Sequence, residues 1–123
     1  VEDSGLFIDA LPEFPGVYSA HVLQSIGCDG ILRLLDNQRT AHFLTVAALW
    51  TGEAVEVFIG RCDGTISTEI KGEGGFGYDP IFIPDESEDG RTFAEMTHEE
   101  KSAYSHRGRA LRALFDYLDE DGA

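Results

Sequence analysis

The chain has 123 residues, 42% of them hydrophobic, which suits one soluble domain with a single core and is too short for two ordinary domains. Its 23 Asp and Glu against 9 Lys and Arg give a formal charge of -14, so the surface field repels polyanions, and binding to nucleic acid or to an anionic membrane is disfavoured. A polyphosphate substrate stays open, because a small site can be locally positive, or metal-bridged, inside a negative surface.

Lys71 and Lys101 are the only lysines, and acidic residues cluster at Asp85 to Asp89 and at Asp116 to Asp121. This balance suits a high-salt cytoplasm, and equally a chain kept soluble by net charge alone. Cys28 and Cys62 have no second Cys or His at ligand spacing and read as buried thiols. No window approaches a membrane span and the first residues do not resemble a signal peptide, so a cytoplasmic location is expected.

The opening Val1 to Ile8 passes directly into strand-like sequence and looks like a chain cut into mid-domain. After a Pro-rich turn at Pro12 to Gly16, the apolar spacing from Ser19 to Leu35 predicts two short helices interrupted at Gly27 to Gly30. Ala41 to Trp50 and Ala54 to Arg61 read as strands joined by a hairpin at Thr51-Gly52-Glu53. Asp63-Gly64 then reads as a turn into a further strand over Thr65 to Lys71. A glycine-dense loop over Gly72 to Gly77, a short strand at Ile81 to Ile83 and an acidic loop follow. Thr97 with Glu100 forms a capping box for a short helix, and Arg107 to Leu118 sets Leu111, Leu114, Phe115 and Leu118 on one face of another, an amphipathic lid on the sheet. The class is α/β, with a mixed, largely antiparallel central sheet flanked by helices, in one domain over 1–123.

Three places could carry chemistry. Glu2 and Asp3 are adjacent, so in a strand they point to opposite faces and only one enters a given site. Asp3, before Ser4-Gly5, is the better candidate to hold a metal or orient a water; a solvated acidic pair is the alternative. In Gly74-Gly75-Phe76-Gly77-Tyr78-Asp79-Pro80 the glycines let backbone approach a ligand, and two aromatics with a carboxylate suit a heterocyclic base. A glycine-rich turn with core aromatics has the same composition. Ser105-His106-Arg107 opens a helix whose backbone N–H groups favour a carbonyl or phosphate oxygen, with Arg107 as a planar donor fork and Lys101 near the same junction. Asp85 to Gly90 imitates half of an EF-hand loop, but Met96 stands where a bidentate Glu is required, so calcium is rejected there.

Six blocks in order, Val1-Glu2-Asp3-Ser4-Gly5-Leu6, Pro15 to Ala20, Phe76 to Phe82, Phe93 to Met96, Glu99-Glu100-Lys101 and Ser105 to Leu111, resemble the inosine triphosphate pyrophosphatase family. The resemblance implies hydrolysis of ITP, dITP and XTP to the monophosphate and pyrophosphate, with Mg²⁺, by a homodimer that cleans the nucleotide pool. It makes Asp3 the catalytic and metal-binding carboxylate and Ser4 a substrate contact. It makes Phe76, Gly77, Tyr78 and Asp79 the base-pocket loop, and Lys101, His106 and Arg107 the residues that close over the base and read its 6-oxo group. His21 and Ser102 depart from the family's usual Arg and Asn. The family's opening strand, its Thr/Ser-x-Asn-x-x-Lys phosphate loop and the helix bearing a metal-binding Glu have no counterpart in the sequence, so the chain reads as the C-terminal two-thirds of the family domain. A purine-nucleotide-binding remnant without catalysis is the alternative function.

Overall fold

Four strands, β1 (Glu2–Ile8), β2 (Thr40–Trp50), β3 (Val55–Ile66) and β4 (Phe82–Pro84), pair in the order β1-β2-β3-β4, and each described pair is antiparallel. The structure is a computed structural model describing residues 2–121; Val1 of the expected first strand lies outside them. Helices α1 (Ser19–Leu34), α2 (His98–Tyr104) and α3 (His106–Asp121) complete the α/β architecture that the periodicities predict. The expected interruption of the first helix is present at Gly27, whose φ of 66° and ψ of -175° break the helical run into two segments.

Alternation decides what each strand presents. Leu6 and Ile8 of β1, Ala41 and Phe43 of β2, and Cys62 and Ile66 of β3 point into one core with Ile31, Phe82 and Phe93. Each of the large side chains there contributes roughly 1.5–3 kcal/mol by leaving water. Ser4, Thr45 and Gly60 lie side by side across β1, β2 and β3 on this same face. On the opposite face Trp50, Val55, Val57 and Ile59 are exposed.

Two expectations are corrected. Asp63-Gly64 does not turn the chain: β3 runs unbroken from Val55 to Ile66, and no separate strand forms over Thr65 to Lys71. Gly64 is there for close packing, since a Cβ on it would lie 2.3 Å from the Ile83 carbonyl oxygen of β4. The lid helix covers β3 and β2 as expected, but through Ala110, which is fully buried, while Phe115 and Leu118 are exposed. Spacing identified a helix; the small residue needed for a close helix-sheet contact set its rotation.

Among the described residues no helix is long and apolar enough to cross a membrane.

Candidate active site

A cleft of about 500 Å³ opens where the start of β1, the start of α1, the glycine-rich loop and the α2–α3 junction meet. Its wall at the loop is fixed by Asp79. The Asp79 Oδ2 atom accepts hydrogen bonds from the Phe76 backbone N–H at 3.0 Å and from the Lys101 ammonium at 2.6 Å. Both side chains of this ion pair are largely buried, 5% exposed for Asp79 and 15% for Lys101. Gly75 makes the tight loop possible twice over: its φ is 71°, and a Cβ on it would sit 2.3 Å from Asp79 Oδ2.

Lys101 also stands 4.4 Å from the centroid of the Phe76 ring, close enough for a cation–π contact. Phe76 is 69% exposed, so a flat apolar face is presented at the cleft wall. Tyr78 has a different part: its ring lines the cleft but its hydroxyl donates to the Ser19 carbonyl at 2.5 Å, and burial pushes its ionisation up to about 12. It ties the loop to α1. Ser19 continues the tie to β1, because its hydroxyl accepts from Leu6 N–H at 2.9 Å.

The first turn of α3 also lines the cleft. Thr97 and Glu100 form the expected capping box of α2. Ser105 ends that helix through its N–H to the Lys101 carbonyl, and begins the next by accepting from Gly108 N–H at 3.0 Å. This sharp junction throws His106 inward. Its ring stacks on Phe43 with centroids 4.4 Å apart and an interplanar angle of 15°, and its Nδ1 is buried without a hydrogen-bond partner. Burial first, then the positive charges of Lys101 and Arg107, push the imidazole down to about 4, so it is neutral at pH 7. Arg107 reaches back across the cleft, its Nε donating to Glu2 Oε1 at 2.8 Å. Ser4 lines the cleft, and its hydroxyl is hydrogen bonded at 2.7 Å to that of the fully buried Thr45.

Ser4, Phe76, Gly77, Tyr78, Asp79, Lys101, His106 and Arg107, spread through more than a hundred residues of sequence, thus line one cleft. Asp3 does not. Alternation in β1 sends Glu2 into the cleft and Asp3 to the other face, where it is exposed beside Val46 and borders a second groove of about 200 Å³. The choice between the two acids for this cleft therefore falls on Glu2. Ser4 and Gly5 border both depressions, so the cleft and the groove meet at the start of β1. Sequence reasoning also missed Phe43, which has no local signal: it is an ordinary alternating strand residue until α3 is placed beside it.

Among the described residues no three His, Cys, Asp or Glu side chains gather as a metal cage. What the cleft offers is a flat aromatic face, a buried neutral imidazole and a guanidinium. That set suits a planar heterocycle bearing a hydrogen-bond acceptor.

The model of the Ham1 family matches residues 1–117. The dITP/XTP pyrophosphatase of Thermococcus kodakarensis is 57% identical over 123 residues, covering 98% of this chain and 65% of that protein, and that of Pyrococcus horikoshii is 52% identical over 120 residues, covering 96% and 63%. The chain thus spans a little under two thirds of the length of these relatives. Among solved structures, the Ham1 protein of Staphylococcus aureus superposes with a TM-score of 0.87 at 34% identity, covering 98% of this chain and 66% of that one. A HAM1 protein from Coxiella burnetii gives 0.88 at 38% identity with the same coverage. The resemblance carried by the six sequence blocks is borne out in sequence and in fold, and the chain belongs to the Ham1 family.

Proposed function

We propose that the chain forms the base-recognising part of an enzyme that hydrolyses non-standard purine nucleoside triphosphates, ITP, dITP and XTP, to the monophosphate and pyrophosphate. The observation that carries this reading is that the exposed Phe76 ring, in contact with Lys101, and the His106-Arg107 turn line one cleft. The relatives named dITP/XTP pyrophosphatases support it.

The purine stacks on Phe76, a contact worth about 1–3 kcal/mol for an aromatic side chain and a base. Its 6-position then meets Arg107 and the imidazole of His106. A 6-oxo group accepts hydrogen bonds from such donors, whereas the 6-amino group of adenine presents its own N–H bonds to them and leaves both sides unpaired. Guanine shares the 6-oxo group, so its rejection falls to the amino group at position 2. Glu2 holds the Arg107 guanidinium through Nε, which leaves the terminal nitrogens as the donors for the base.

The triphosphate runs from the cleft over Ser4 and Gly5 towards Asp3. Asp3 is an exposed carboxylate near a strand end and is the residue that would hold Mg²⁺, an ion commonly bound through one or two carboxylates. Bound there, Mg²⁺ would neutralise phosphate charge and acidify water. The Asp3 carboxylate orients the attacking water and takes its proton. We read the protein as a cytoplasmic homodimer, consistent with the free thiols Cys28 and Cys62 and with the exposed strip of Trp50, Val55, Val57 and Ile59. The test is product analysis with the full-length protein: ITP should give IMP and pyrophosphate, with ATP turned over at least about tenfold less efficiently. Release of IDP and orthophosphate, or equal use of ATP, refutes the reading.

A further inference from the structure

Gly60 lies at the middle of β3, opposite Thr45 of β2, which is opposite Ser4 of β1. A Cβ built on it would stand 1.9 Å from the His106 carbonyl oxygen and 2.5 Å from the Ala110 backbone nitrogen. These are helix backbone atoms, which cannot swing aside as a side chain can. Bringing a methyl group from 1.9 Å to ordinary contact beyond 3.4 Å requires the start of α3 to rise by about 1.5 Å. Ala110, one turn on, is fully buried in the same interface. The first turn of α3 therefore rests on bare strand backbone, and that turn carries His106 and Arg107.

We propose that Gly60 is a positioning residue for base recognition: by admitting α3 into backbone contact with β3, it sets the height of His106 and Arg107 over the cleft. The specificity part of this inference rests on the function proposed above; the positional part does not. Lys101, Asp79 and Phe76 are held to one another by their own contacts on α2 and the loop, so a raised α3 moves His106 and Arg107 most, and α2 follows only as far as its Ser105 and Arg112 hydrogen bonds carry it. A displacement near 1 Å in an oriented site costs about a hundredfold in rate at the extreme, and here the loss falls on discrimination.

The experiment compares Gly60→Ala with Ala110→Val, which drives a wedge into the same contact from the helix side, and with Gly30→Ala, which crowds the Ile26 side chain within α1. In Gly60→Ala and Ala110→Val the preference for ITP over ATP should fall at least about tenfold, chiefly through KM for ITP, with kcat changed by less than about threefold. NMR titration reads the position of the helix without any substrate. As His106 leaves its seat on Phe43, between the charges of Lys101 and Arg107, its titration should move up from about 4 towards 6.5. Gly30→Ala should lower stability and move neither readout. A folded Gly60→Ala protein with the His106 titration and the ITP preference both unmoved overturns the proposal, as does Gly30→Ala shifting both to the same extent. If Gly60→Ala fails to fold, Ala110→Val decides by the same criteria. If the unaltered protein shows no preference for ITP, the substrate reading fails while the His106 titration still decides the role of Gly60.

Discussion

Asp79→Ala should be among the most damaging single changes at the cleft. Its Oδ2 atom holds both the Lys101 ammonium at 2.6 Å and the Phe76 N–H at 3.0 Å, and the two side chains of the ion pair are only 5% and 15% exposed. Removing the carboxylate leaves a buried ammonium and a backbone donor without their acceptor. Breaking one side of a buried pair costs about 3–5 kcal/mol, far more than the roughly 0–1 kcal/mol of an exposed one. Against a total stability of about 5–15 kcal/mol that is a large fraction, and at about 4 °C per kcal/mol for a chain of this size the melting temperature should fall by roughly 12–20 °C. Thermal and urea unfolding of Asp79→Ala, Lys101→Met and the double variant close a double-mutant cycle. The double variant should be less destabilised than the sum of the single ones, with a coupling of about 2 kcal/mol or more. A loss below about 1 kcal/mol for Asp79→Ala, or a coupling near zero, would refute the argument that this pair holds the loop.

His106 ties stability to pH. Its folded value of about 4 lies below the ordinary 6.5, so the unfolded chain takes up the proton first; the contribution of the neutral imidazole is complete above about pH 6.5 and is lost as pH falls towards 4, on the order of 3 kcal/mol. Urea unfolding between pH 7 and pH 4 should show this slope, flattened in His106→Gln; equal slopes would contradict it. Arg107→Ala should lower kcat/KM for ITP by roughly ten- to a hundredfold, the cost of a charged hydrogen bond of about 1.5–3 kcal/mol, with ATP changing much less. Equal losses for both nucleotides would assign Arg107 to the phosphates instead. Asp3→Asn should abolish most pyrophosphate release while leaving IMP affinity within about twofold, because Asp3 lies outside the cleft on the other face of β1. Near-normal turnover would remove Asp3 from the chemistry.

Much of the architecture is legible in short-range signals. The period of two in β2 and β3 and the capping box at Thr97 and Glu100 each dictate an element by local physics. Gly27 likewise breaks α1 where its composition says it should. The failures came where a residue answers to a partner far away in sequence. Gly64 looks like a turn residue beside Asp63, yet it is a flat strand position that β4 must approach closely. Phe115 and Leu118 satisfy a helical stripe, but the contact that orients α3 is Ala110 against Gly60, two small residues that carry no hydrophobic signal.

The site divides the same way. The loop Phe76 to Asp79 and the Ser105-His106-Arg107 junction announce themselves through glycine, aromatic and capping chemistry, and the family resemblance joins them. That Glu2 rather than Asp3 enters this cleft is a matter of strand phase, and phase is fixed by the pairing of Glu2 with Ala47 and Ser4 with Thr45. The expectation that one acid of the pair enters was sound; its identity depended on which face of β1 meets the core.

The central claim is that one cleft reads the 6-position of a purine, and equilibrium binding of IMP against AMP tests it without recourse to the triphosphate or to turnover. Both ligands carry the same sugar and phosphate, so calorimetric titration of each into the protein isolates the base. The account predicts that IMP binds at least about tenfold more tightly, a difference of about 1.4 kcal/mol that one well-placed hydrogen bond supplies, and that the advantage disappears in Arg107→Ala. Equal affinities for IMP and AMP in the unaltered protein would contradict it.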